Sequence, residues 1–360
     1  TGLSSHELAQ GYEDIKDLSV YVKFKITEDS SRKIWGTDYN AYIIAWTTTP
    51  WTLPGNVALA VGANIKYSLV SNGDEKYILA SDLVQKIFAD QEFKIEKEFS
   101  GADLVGIEYE PLFGELQTHM QSSELRKDEF KNHINGWRVY AADFVNTTDG
   151  TGIVHIAPMY GNDDFDLATK NNLPKVHTVS ENGLFVSGLV PEFLNEKYVK
   201  EVNEDGKPIT AVSIISYLKE KGLFFKQENI NHTYPHCWRC KTPLIYYARD
   251  SWYIAMSQLR DKMIDENKSI NWEPAHIREG RFGEWIDGIK DWAISRERYW
   301  GTPLPIWLSN DGDKIVVDSF DTLKKYTKKS GNKYFMMRHG EAEHNVLQIW
   351  SSNPTNPHHL

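Results

Sequence analysis

A chain of 360 residues has room for two or three domains and enough length to bury real cores. Hydrophobic residues at 41% and charged ones at 25% are ordinary globular values and exclude wholesale disorder. Forty basic against fifty acidic side chains give a net charge of −10, so no global basic field points to nucleic acid, although a local groove can sit on an acidic protein.

Taken in chain order, Thr1 to Asp17 is polar and reads as a connector (residues 1–17). Val20, Val22, Phe24 and Ile26 alternate with Tyr21, Lys23 and Lys25, the period of a half-buried strand. Tyr42 to Trp46 is a short apolar run that predicts a buried central strand. The uncharged stretch from Asp38 to Lys66 is long enough for a bilayer, but its threonines and prolines exclude a membrane helix, so a soluble chain is expected. Further strands are predicted at Tyr67–Ser71, Lys76–Ala80 and Gly152–Ala157. Leu83, Val84, Ile87 and Phe88 have helical spacing behind Ser81 as an N-cap, and Pro208 to Gly222 predicts a second helix. Residues 18–230 therefore read as one strand-dominated α+β domain.

Residues 231–308 hold 11 basic and 10 acidic side chains, so the rest of the chain carries the negative charge. Cys237-Trp238-Arg239-Cys240 opens a knuckle there, and Trp252 to Ile264 predicts an amphipathic helix. Residues 309–333 read as a turn-rich break and linker, and 334–360 begin with a new strand leading into Arg338-His339-Gly340. Two cysteines exclude a disulfide framework, and with no signal sequence at Thr1 the expected location is the cytoplasm.

Two segments carry chemistry. Trp46-Thr47-Thr48-Thr49-Pro50-Trp51-Thr52-Leu53-Pro54-Gly55-Asn56 sets hydroxyls at the exit of a buried strand, held extended by two prolines. Such hydroxyls position a water or a polar ligand without charge; the plainer reading is a Thr-rich strand edge and a turn. Gly150-Thr151-Gly152-Ile153-Val154-His155-Ile156-Ala157-Pro158 is followed by Gly161-Asn162-Asp163-Asp164-Phe165. His155 and Asp164 can converge on one cleft, or serve as a satisfied core histidine and a helix N-cap.

Together these segments resemble the editing domain of isoleucyl-tRNA synthetases. The likeness continues through Gly101-Ala102-Asp103-Leu104-Val105-Gly106, Tyr109-Glu110-Pro111-Leu112-Phe113, His236 to Tyr246, and Asp291 to Arg296 with Tyr299-Trp300-Gly301. It implies a strand-rich, barrel-like α+β editing domain followed by a segment of the Rossmann-type α/β class I core. It also implies that Thr47, Thr48 and Thr49 line a hydrolytic pocket, that Trp51, Asn56 and His155 contact the substrate, and that Asp164 pairs with the α-ammonium of the misacylated amino acid. The pocket would admit valine carried on tRNA(Ile) but not isoleucine, because one missing methylene discriminates too weakly at the synthetic site, a limit this enzyme family exemplifies. Met159-Tyr160 stands where many bacterial members have Gly-His. The resemblance further implies a monomer that uses ATP and magnesium in its full-length form only, since the His-Ile-Gly-His and Lys-Met-Ser-Lys-Ser motifs are both absent here. Arg296, Arg298 and Trp300 read equally well as packing residues.

Cys237 and Cys240 have metal-ligand spacing but supply two of the four ligands of a zinc site, with His232 and His236 as further candidates, so they read as half a zinc knuckle or as a plain turn. Phe335 to Asn345 resembles the opening strand and loop of the histidine phosphatase superfamily, in which His339 would be the nucleophile and Arg338 a phosphate ligand. The expected whole is a fragment of a larger protein. The rival readings are a phosphatase on a synthetase-derived carrier and a non-catalytic zinc-knuckle tRNA-binding module.

Overall fold

The computed structural model describes residues 2–3, 5–35, 40–89, 91–122, 134–295 and 303–327. The chain divides into two units, residues 1–294 and 295–360.

The first unit is built on two sheets. Its strands are β1 (Tyr12–Lys25), β2 (Ala41–Thr47), β3 (Ala58–Val61), β4 (Lys66–Asn72), β5 (Glu75–Ala80), β6 (Lys94–Ser100), β7 (Arg138–Ala141), β8 (Ile153–Ile156) and β9 (Phe224–Pro235). One sheet runs β6-β4-β5-β2-β1-β9 and the other β7-β3-β8; β2–β5 and β3–β7 are parallel and the other pairs antiparallel. These are open sheets, and the expected barrel does not close among the described residues. Val20, Phe24, Ile44, Ile78, Leu59 and Ile156 from both sheets meet in one core.

β1 is longer than its alternation predicts. It pairs with β9 from Tyr12 opposite Pro235 to Val22 opposite Phe224, so the boundaries at 17/18 and 230/231 both fall inside one ribbon. Nor is it half-buried: Tyr21 and Lys23, on the face read as solvated, are 2% and 7% exposed. Lys23 tolerates burial because Glu75 lies 2.8 Å from its ammonium and the Tyr42 ring covers it at 4.7 Å.

The Gly-Thr-Gly turn before β8 has a steric cause. Gly152 takes φ +71°, and a Cβ there would fall 2.4 Å from the Ala80 Cβ at the end of β5. The close approach is fixed by Ala80 N–H donating to Thr151 O at 2.9 Å and by the Tyr67 hydroxyl donating to Gly152 O at 2.7 Å.

Three local expectations change. Ser81 caps no helix; its hydroxyl bonds that of Ser68 at 2.8 Å, and a 3-10 turn Ser81–Leu83 leads into Val84–Ile87. Pro208 sits at the N-cap of the helix Ile209–Glu220 rather than inside it. Trp252–Ile264 is not one amphipathic helix: β10 (Tyr253–Ile254) pairs with β11 (Trp292–Ala293), a 3-10 turn covers Met256–Leu259, and the helix is Arg260–Ser269. The apolar residues that suggested a helical stripe are spent on the strand instead.

In the second unit, β12 (Ile306–Leu308) and β13 (Lys314–Val316) form a hairpin around the predicted turn. The helix Phe320–Tyr326 follows, capped by Ser319 accepting from Thr322 N–H at 3.1 Å, so the stretch read as linker carries structure. Arg296, Arg298, Trp300, Gly301, the strand predicted at 334–337, Arg338 and His339 lie outside the described residues. No helix among the described residues is long and apolar enough to cross a membrane.

Candidate active site

The threonine segment does not stay extended after β2. Pro50 starts a buried 3-10 turn, Pro50–Gly55, because its fixed φ suits a first helical position while confining Thr49 before it to φ −124°. The bend at Thr48 and this turn fold the hydroxyls onto one another. Thr47 Oγ1 accepts the Thr49 N–H at 3.1 Å and lies 3.3 Å from Thr49 Oγ1. Thr49 Oγ1 is in turn 3.4 Å from Thr52 Oγ1, and Thr52 Oγ1 is 2.9 Å from His155 Nε2 on β8. Thr48 is half-buried at the bend.

Thr52 was not among the residues singled out, yet it joins the two predicted segments. The signal was its place three residues after Thr49 across a Pro, the spacing of one tight helical turn. His155 is 8% exposed, and burial lowers its imidazole to about 4, so it is neutral at neutral pH. Its Nδ1 is buried without a hydrogen-bond partner among the described residues.

Asp164 lies on the first turn of the helix Asn162–Lys170, whose N-cap position is Gly161. It does not cap that helix at the N-cap position; its Oδ1 accepts the N–H of Ala157, two residues beyond His155, at 2.7 Å. Burial pushes its carboxyl up to about 6, against the lowering effect of backbone N–H donors from Ala157 and from its own residue.

Trp51 and Tyr160 bring the two segments face to face. Their rings meet edge-on with centroids 5.1 Å apart, and both are buried. The Tyr160 hydroxyl lies 3.0 Å from Thr178 Oγ1 and accepts Val179 N–H at 2.8 Å, while Met159 O accepts Ala248 N–H at 2.8 Å. Met159-Tyr160 is therefore tied into the fold through both residues. The Trp51 indole N–H is buried without a partner among the described residues.

Asn56 is not drawn into this cluster. Its amide donates to Ala58 O at 2.9 Å and its Oδ1 accepts the Tyr109 hydroxyl at 2.8 Å, so both ends are spent in the core. An open groove of 460 Å³ lined by Gly114, Glu115, Thr118, His119 and Gly188 contains none of the predicted site residues.

Cys237 and Cys240 form a knuckle after β9, closed by Cys237 N–H to Thr242 O at 2.8 Å and Lys241 N–H to Cys237 O at 2.9 Å. The Cys240 sulfur is 3.2 Å from the Thr242 hydroxyl, which with the Thr242 backbone lowers the thiol to about 7. His236 Nδ1 is 3.0 Å from Tyr234 O, and His232 Nε2 is 3.5 Å from Asp17 Oδ2. Among the described residues no three His, Cys, Asp or Glu side chains come together, so the donors present do not fit a closed tetrahedral zinc site.

Chemically, the cluster offers a row of neutral hydroxyls, a neutral imidazole and one carboxylate beside them. Such a set can orient a water and can pair with a cationic group; it supplies no strong base.

Known proteins resemble this chain along most of its length. The family described as class I tRNA synthetases (I, L, M and V) matches residues 1–349, a range that runs through Arg338 and His339. The histidine phosphatase likeness of that stretch therefore has no support beyond its own residues. The isoleucine–tRNA ligase of Clostridium tetani is 44% identical over 90% of this chain and 28% of its own length, and that of Thermoplasma volcanium is 44% identical over 85% and 26%. The chain thus spans about a quarter of the length of the curated relatives it matches. A crystal structure of the P. falciparum cytosolic leucyl-tRNA synthetase editing domain aligns with 43% of this chain and 67% of its own at 15% identity and a TM-score of 0.31. With the family match covering residues 1–349, the chain belongs to the class I tRNA synthetases of the isoleucine, leucine, methionine and valine group.

Proposed function

We propose that this chain is the editing portion of an isoleucine–tRNA ligase and that it hydrolyses valine wrongly esterified to tRNA(Ile). The observation that carries the reading is the continuous row Thr47–Thr49–Thr52–His155, with the Asp164 carboxylate bonded two residues beyond His155. In this reading the hydroxyls hold the attacking water against the ester carbonyl, and backbone N–H groups and hydroxyls stabilise the oxyanion. Asp164 pairs with the α-ammonium of the amino acid, which fixes the ester relative to that water. With His155 lowered to about 4, it is a poor proton acceptor, so a hydroxyl of the terminal ribose is the better assistant to the departing and arriving protons. The wall of Trp51 and Tyr160 limits the size of the amino-acid side chain.

The partner in this reading is tRNA(Ile), held by a full-length monomer in the cytoplasm; the free thiols Cys237 and Cys240 fit a reducing compartment. ATP and magnesium would serve the synthetic site of the longer protein and no residue described here. The test is deacylation of Val-tRNA(Ile) by the 360-residue chain, with Ile-tRNA(Ile) as the control. Faster loss of valine than of isoleucine is expected; equal rates with and without the chain would overturn the proposal.

A further inference from the structure

The Thr52 hydroxyl has two partners at the same distance, the Thr49 carbonyl oxygen at 2.9 Å and His155 Nε2 at 2.9 Å. A carbonyl oxygen only accepts, and a hydroxyl has one proton, so the bond to Thr49 consumes it. His155 Nε2 must then carry the proton that completes the second bond. The opposite assignment, with Thr52 donating to Nε2, would strand an Nδ1–H donor in the interior, because Nδ1 is buried without a partner among the described residues. A stranded N–H donor is rarer in folded proteins than an under-used acceptor. The protonated-Nε2 form leaves Nδ1 as a bare acceptor and avoids that cost.

The same count orders the rest of the row. Thr52 has no second proton for Thr49 Oγ1 at 3.4 Å, so in that contact Thr49 is the donor. Thr47 Oγ1 already accepts the Thr49 N–H, which leaves the Thr47 hydroxyl proton free of that bond. The imidazole is therefore the fixed donor at one end of the hydroxyl row, and burial keeps it neutral across the neutral range.

We propose that Thr52 is a positioning residue of this site, which fixes His155 in its Nε2–H tautomer and thereby sets the direction in which the Thr49 and Thr47 hydroxyls donate. The proposal rests on the hydrolytic reading above for its consequence, but the tautomer itself does not. It assigns His155 the part of a rigid donor and not that of a general base, and it makes Thr52 the link through which β8 orders the threonine turn.

The experiment uses the full 360-residue chain labelled with ¹⁵N at histidine, with His155→Gln to assign its ring signals. The unaltered chain is expected to show a protonated Nε2 and a bare Nδ1 at neutral pH. Thr52→Val, which keeps the shape and removes the hydroxyl, should shift the ring signals toward a tautomer mixture and lower kcat for Val-tRNA(Ile) about tenfold or more with KM little changed. Thr52→Ser, which restores the hydroxyl, should return both readouts. A bare Nε2 in the unaltered chain overturns the proposal, as does an unshifted Nε2–H signal in Thr52→Val or a Thr52→Ser that behaves like Thr52→Val. Absence of hydrolysis in an unaltered chain whose ring signals are as expected overturns the hydrolytic reading alone and leaves the Thr52–His155 assignment supported.

Discussion

Asp164 reaches back across the start of its own helix and accepts the backbone N–H of Ala157 at 2.7 Å. The carboxylate therefore carries a structural bond as well as a charge, and substitutions at this position separate the two. Asp164→Asn keeps an oxygen for Ala157 and loses the charge, so stability should hold while kcat/KM for Val-tRNA(Ile) falls by about tenfold to a hundredfold, the worth of a charge-assisted bond. Asp164→Ala also strands the Ala157 N–H and should cost about 1–3 kcal/mol in denaturant unfolding. Asn hydrolysing valine as fast as Asp would remove this residue from the site.

Gly161 tests the same carboxylate from the other side. A Cβ at Gly161 would stand 2.3 Å from Asp164 Oδ2, while its φ of −159° is open to any residue. The carboxylate must move to make room, which leaves the Ala157 N–H unpaired, so Gly161→Ala should cost about 1–3 kcal/mol, as Asp164→Ala does. Hydrolysis should drop as well, because Asp164 is turned away from its bond. Full activity in that variant would show that the position of the carboxylate does not matter.

The pH dependence follows from two buried groups with opposite signs. Asp164 must be ionised to hold an ammonium, and its carboxyl is raised to about 6, so kcat/KM should fall as pH drops through 6, measured against spontaneous ester hydrolysis. For stability, the folded state resists protonation of His155, whose value falls from 6.5 to about 4, so its contribution is complete above 6.5 and lost as pH falls toward 4. Asp164 works the other way: its raised carboxyl is a cost above 6 that is relieved as pH falls toward 3.8. The unaltered chain should show a damped response between these limits, and Asp164→Asn should lose more stability than it does between pH 7 and 5.

Much of this site was legible because its motifs are local. Thr47, Thr49, His155 and Asp164 sit in two short segments whose residue types already suggest hydroxyl and carboxylate chemistry. What could not be read was how the segments meet. Two prolines near the threonines suggested extension, but Pro at a first helical position favours a turn, and the turn brings Thr52 to His155. Alternation placed Lys23 in solvent, because period alone does not reveal that Glu75 on another strand would neutralise it. Ser81 looked like a cap until its hydroxyl had Ser68 as a long-range rival. In each case the missing fact is a partner distant in sequence.

Asn56 is expected to matter for stability and not for hydrolysis. Its Oδ1 accepts the hydroxyl of Tyr109, one of the largest fully buried side chains. Tyr109→Phe leaves that oxygen unpaired in the interior, at a cost of about 1–3 kcal/mol in unfolding experiments. The rate of Val-tRNA(Ile) hydrolysis at a temperature where both chains are folded should be unchanged. A stable variant with slowed hydrolysis would return Asn56 to the pocket where its motif had placed it.

The knuckle gives the last expectation. Cys237 and Cys240 supply two thiolates, and a tetrahedral zinc ion needs four donors to be held against competition. His236 is nearest in sequence, but its Nδ1 is engaged with Tyr234 O, and His232 faces Asp17 at 3.5 Å. His236 could still offer Nε2 with Nδ1 held at Tyr234 O, which gives three donors of the four, and recruiting His232 would pull its ring away from Asp17. The 360-residue chain should accordingly keep no stoichiometric zinc after dialysis against a chelator, and its thermal unfolding should not respond to the chelator. Cys237→Ser and Cys240→Ser should then unfold as the unaltered chain does. Retained zinc at one per chain, lost in either cysteine variant, would contradict this and send the search for the remaining ligands to His232 and His236, with single substitutions of each deciding between them.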